Sequence, residues 1–106
     1  MSHIKLIEIL GDMIKRVDVL RSQLPRANAE RVRLDNVRDQ LNASQLRLVR
    51  SAIKGNTKQF RGLADSLVDI NAELQQTITD VKKTAETLAA LVKAVGVLEK
   101  ILALVP

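Results

Sequence analysis

From Phe60 to the end of the chain, apolar side chains recur in alternating steps of three and four. The series runs Phe60, Leu63, Leu67, Ile70, Leu74, Thr77, Val81, Thr84, Leu88, Leu91, Val95, Leu98, Leu102 and Val105. Only Thr77 and Thr84 break its apolar character. Such a heptad seam is the mark of a long α-helix lying against another helix. A helix over residues 57–104 is roughly 70 Å long at 1.5 Å per residue, and it needs a partner along that length. The first half of the chain supplies a candidate. Leu6, Met13, Leu20, Ala27, Leu34, Leu41 and Leu48 recur every seven residues, with Leu10, Val17 and Leu24 in the companion positions and Val37 further on.

Two points interrupt this pattern. Gly55-Asn56 reads as a tight helix–helix turn. Glycine suits the end of one helix, Asn56 can cap the next, and Gln59 completes a variant of the capping box. Pro25 either kinks one long first arm or opens a new helix that folds back on the first. The expected helices are therefore about 3–23, 27–54 and 57–104, in a single all-helical domain. Their lengths favour a long antiparallel hairpin whose first arm is kinked or broken near Pro25. Hairpins of this kind would assemble into a multi-helix bundle, and a three-helix bundle is the alternative. In the hairpin, residue i lies near residue 111 − i. Arg31 then approaches Asp80 and Arg38 approaches Glu73, two ion pairs that would set the register.

Composition supports an all-α reading. Phe60 is the only aromatic residue, and the chain has four Gly and two Pro. A sheet protein would carry aromatic and β-branched strands separated by frequent turns. There is no cysteine, which excludes disulfides and thiolate metal sites. The amino-terminal stretch "MSHIKLIEILGDMIKRVD" is not that of a signal peptide, because Glu8 and Asp12 interrupt the apolar run and the basic residues follow it. A cytoplasmic location is the resulting expectation.

Little in the sequence suggests catalysis. His3 is the only histidine and lies at the start of the first helix. There is no HExxH motif, no nucleophile–base pair, no Glu-x-x-His pair for a di-metal bundle and no glycine-rich phosphate loop. The chain reads as a non-enzyme, with no cofactor and no metal.

The closing stretch "LAALVKAVGVLEKILALVP" is apolar around most of its circumference, as expected of a helix buried by several others. It is slightly short for a transmembrane span and carries Lys93, Glu99 and Lys100. Ala89, Gly96 and Ala103 are small, seven apart, and permit another helix to approach closely. The expected function is thus helical assembly, or an adaptor role, through the coiled-coil seam formed by Phe60, Leu63, Leu67, Ile70, Leu74, Val81, Leu88, Leu91, Val95, Leu98 and Leu102. The partner would be a second copy or another helical protein. The alternative is a helical protein that meets a membrane through its apolar carboxy-terminal segment, as a peripheral or pore-forming component.

Charge is unevenly spread. Residues 1–62 hold 13 Lys/Arg and 6 Asp/Glu, a net +7, whereas residues 63–106 hold 4 and 6, a net −2. Arg47, Arg50, Lys54, Lys58 and Arg61 surround the expected turn as a basic tip suited to an acidic protein or lipid headgroups. No aromatic residue accompanies them for base stacking, which argues against nucleic acid.

Overall fold

The computed structural model describes residues 3–51 and 57–104, an all-α bundle with no strand among them. It contains α1 (His3–Ser22), α2 (Ala29–Arg50), α3 (Lys58–Thr77) and α4 (Thr84–Leu102), with a 3-10 turn over Val81–Lys83 leading into α4. The bundle measures 42 × 23 × 18 Å.

The first fold-back is at Pro25. The last turn of α1 tightens, with Leu20 O and Arg21 O accepting from the N–H groups of Gln23 and Leu24. Proline cannot extend the helix, and the chain reverses over residues 23–28. Asn28 then caps α2, its Oδ1 accepting from Glu30 N at 2.8 Å and Arg31 N at 3.1 Å. Arg31 donates back across the turn to Leu24 O at 2.9 Å. Helix α1 thus lies antiparallel to α2, as the Arg21–Asp35 ion pair at one end and the His3–Leu48 hydrogen bond at the other require. Fold-back prevails over the kinked arm because Asn28 can start a new helix immediately after the proline.

The second fold-back corrects the expected 57–104 helix. Helix α3 begins at Lys58, where Thr57 Oγ1 accepts from Phe60 N at 3.2 Å. It stops at Thr77. Gly55, Asn56 and Lys54 lie outside the described residues. After Thr77 the chain turns over residues 78–80, and Asp80 Oδ1 accepts from Lys82 N at 2.9 Å to start the 3-10 turn. The physical reason is local. Thr77, Ile78, Thr79 and Val81 are all β-branched and lose side-chain freedom in a helix, and Asp80 satisfies a helix start better than a helix interior.

Around the bundle the order is α1, α2, α4, α3. Helices α3 and α4 are antiparallel, and α2 and α4 run side by side in the same direction. Helix α1 touches α3 more lightly. The core takes Leu6, Leu10, Met13, Val17 and Leu20 from α1, and Leu34, Leu41 and Leu48 from α2. It adds Phe60, Leu67 and Leu74 from α3, and Leu91, Leu98 and Ile101 from α4. A close approach of α1 to α2 falls at Gly11, where a Cβ would stand 3.3 Å from Gln45 Nε2.

Candidate interaction surfaces

The seam is used inside the chain. Phe60, Leu67, Ile70, Leu74, Leu88, Leu91, Val95, Leu98 and Leu102 are buried, and Leu63 is half-buried against the same core. Val81 is the exception, at 38% exposed, because it sits in the 3-10 turn where the helical phase is lost. Two seam threonines become the polar part of the α3–α4 corner. Thr84 Oγ1 donates to Val81 O at 2.6 Å. Thr87, which is fully buried, donates to Thr77 Oγ1 at 2.9 Å.

The four register residues take other partners. Arg38 pairs with Asp18 at 3.1 Å rather than with Glu73, because α2 lies against α1. Glu73 meets Lys93 of α4 at 3.8 Å. Arg31 holds Leu24 O, and Asp80 caps the 3-10 turn. Both expected pairs are thus replaced, since the hairpin geometry that placed them does not occur.

A charge network at the α1–α2 interface was not foreseen from spacing. Asp18 accepts from both Arg21 and Arg38, and Arg21 also donates to Asp35. Partial burial works against the Asp18 carboxylate, but hydrogen bonds from Arg38 and Arg21 outweigh it and hold Asp18 below the usual carboxylate range. The Arg21 guanidinium is correspondingly pushed up, first by Asp35 and then by Asp18. The signal was available once α1 and α2 were read as antiparallel neighbours. His3 is also engaged, its Nε2 in a hydrogen bond with Leu48 O.

Outside the core, apolar side chains gather in two places, while Val19, Val32 and Val68 are exposed singly elsewhere. The first is the outer face of α4. Ala85, Ala89, Val92 and Gly96 follow in steps of four, three and four, with Val92 60% exposed and Ala103 further along. Beside them a groove of about 370 Å³ runs between α4 and the first half of α2, with Val37 and Leu88 at its base and Arg33 and Asn36 on its rim. Beyond the local backbone of α4 and the residues adjoining Gly96, no atom stands within 4 Å of where a Gly96 Cβ would lie, so a neighbouring helix can approach there. The second place is the end where α1 and α3 start and α2 and α4 stop. Ile4, Leu46 and Val49 are exposed there, beside Arg47 and Arg50, and the exposed Lys58 and Arg61 open α3 at the same end.

No group of three or more His, Cys, Asp or Glu side chains suited to a metal ion occurs among the described residues. No helix among them is long and apolar enough to cross a membrane. No family model, no curated protein and no solved structure matches the chain.

Proposed function

We propose that the chain is a non-enzymatic helical assembly module that pairs with a second copy of itself through the outer face of α4. The carrying observation is the run Ala85, Ala89, Val92, Gly96 on that face, with the first three exposed and Gly96 half-buried, continuous with the α2–α4 groove. Single exposed apolar residues are ordinary on protein surfaces. A run at seam spacing on a helix is different, because it forms one contiguous apolar strip onto which a second helix can lay its own. Small residues let the two helix axes come close, and a twofold pairing presents the same strip from both sides. Glu86 and Lys93 flank the strip and Glu99 and Lys100 follow it, so the charged rim that borders a stable interface is present.

The test is the absolute mass in solution. Light scattering at tens of micromolar should report a dimer or larger species. Ala89→Glu with Val92→Glu should give a monomer of unchanged helical content, since both positions face solvent within one chain. A folded wild-type monomer at that concentration overturns the reading.

A further inference from the structure

We infer that the end of the bundle formed by the close of α2 and the opening of α3 is a docking surface for anionic lipid headgroups. From Gln40 to Ala64 the chain carries five cations and no Asp or Glu. Lys54 lies outside the described residues. The other four, Arg47, Arg50, Lys58 and Arg61, are exposed, and none is in an ion pair. Elsewhere Lys5, Arg16, Arg21, Arg38 and Lys93 are ion-paired and Lys15, Arg26, Arg33, Lys82, Lys83 and Lys100 are not, so what sets this end apart is its run of cations with no acidic residue among them. Along these two helices the nearest acidic residues in sequence are Asp39, about two turns before Arg47, and Asp65, one turn after Arg61. Glu8 of α1 is taken by Lys5 at 3.8 Å.

Apolar side chains accompany these cations. Leu46 and Val49 are 49% and 58% exposed, and they alternate with Arg47 and Arg50 along the last turns of α2. Ile4 is 70% exposed on α1. It sits beside those turns because His3 bonds to Leu48 O and Ile7 O accepts from Gln45 Nε2 at 3.3 Å. A solvated basic end has no need of such neighbours. The combination matches the interface of an anionic membrane, where cations meet the headgroups and short apolar side chains enter the headgroup–acyl boundary.

The layout also selects lipid over other anions. The cations stand on two helices at opposite corners of a cross-section of 23 × 18 Å, rather than along one groove. A plane of headgroups can meet both corners at once, whereas a single acidic helix would follow one. Nucleic acid would want stacking groups, and Phe60, the one aromatic residue, is wholly buried.

Co-sedimentation with phosphatidylcholine vesicles, with and without phosphatidylserine, tests this. Binding should require phosphatidylserine and weaken with salt. Arg47→Gln with Arg50→Gln should lower the partition coefficient about 25-fold, at about fivefold per cation. Leu46→Ser with Val49→Ser should lower it as well, while Lys82→Gln with Lys83→Gln, at the other end, should leave it within about twofold. Circular dichroism confirms that each variant is folded. Equal binding to neutral vesicles, no binding to either, or unchanged binding by the folded Arg47→Gln/Arg50→Gln protein overturns the inference. So does retention by an acidic polypeptide or an RNA oligomer without retention by vesicles. The outcome is separable from self-assembly, because Ala89→Glu/Val92→Glu leaves this end untouched.

Discussion

The Thr77–Thr87 hydrogen bond is the most direct probe of how the second half of the chain folds. The two hydroxyls are 2.9 Å apart across the α3–α4 corner, whereas in one continuous helix residues ten apart are separated by about 15 Å. Thr87→Val removes one hydrogen bond and leaves Thr77 with a long contact to Leu74 O at 3.5 Å, so a loss of about 1 kcal/mol is expected. Thr77→Val is costlier. It strands the hydroxyl of Thr87, which is fully buried and has Thr77 as its hydrogen-bond partner, for about 2 kcal/mol. Removing both hydroxyls leaves no polar group unpaired, so the double variant should be no less stable than Thr77→Val alone. The expected coupling is therefore about 1–2 kcal/mol. In melting temperature, Thr77→Val corresponds to a fall of roughly 8 °C for a chain of this size. The assay is urea unfolding followed by far-ultraviolet circular dichroism, because the chain has no Trp or Tyr to report by fluorescence. Protein concentration is held fixed so that any self-association does not enter the difference. If the two single losses simply add, the corner described here is wrong.

Three further outcomes follow from the same structure. Cysteines placed at Glu73 and Lys93, whose native side chains meet at 3.8 Å across α3 and α4, should be joined within one chain by a short bifunctional thiol cross-linker, detectable as a faster-migrating monomer on a denaturing gel; a continuous helix would hold them about 30 Å apart, beyond its reach. Asp18→Asn should flatten the acid limb of the stability curve: the folded pKa of Asp18 is depressed, so its contribution is present above about pH 4 and is lost as pH falls through the folded value, and an unchanged wild-type-minus-variant difference across that range would refute the network's role. Leu98→Asp places a charge at a fully buried position and should unfold the chain itself, not merely dissociate it, by about 3 kcal/mol or more; a variant with intact helical signal and melting would remove Leu98 from the core.

The all-α class was legible in the seam, and the first fold-back was half-legible in Pro25, which left a kink and a reversal both open. The second fold-back was masked by the seam itself. Thr77, Val81, Thr84 and Leu88 keep the three-and-four rhythm through the turn, and no Gly or Pro marks it. Two other signals stood in the same place. The only polar members of the seam flank the turn, and β-branched residues crowd around a capping Asp80. Periodicity alone reports which residues face a core. It does not report whether the helix that carries them is one piece. The surface strips were hidden for a related reason. Leu46 and Val49 fall off the sevenfold phase of Leu34, Leu41 and Leu48, and a residue off the phase is conspicuous only once the core is known to be elsewhere.

Where the seam goes decides which surfaces are left for function. In a 70 Å hairpin the apolar carboxy-terminal segment would need a partner or a membrane to cover it. With two fold-backs, Leu88, Leu91, Val95, Leu98, Ile101 and Leu102 are all covered by their own chain. At about 1.5–3 kcal/mol for each buried aliphatic side chain, exposing the six costs roughly 9–18 kcal/mol. That is as large as the whole stability of an ordinary domain, about 5–15 kcal/mol. The segment can therefore reach lipid only by dismantling the bundle, and only a deep insertion would return so much. Contact with a membrane that leaves the bundle folded has to use side chains already outside. Of these, the proposed lipid contact uses Ile4, Leu46 and Val49, which have cations beside them, rather than the singly exposed Val19, Val32 and Val68, and the proposed pairing with another helix uses the α4 strip, bordered by charges of both signs. The two surfaces draw on different physics, one weakened by salt and the other not, so ionic strength separates their contributions in a single preparation.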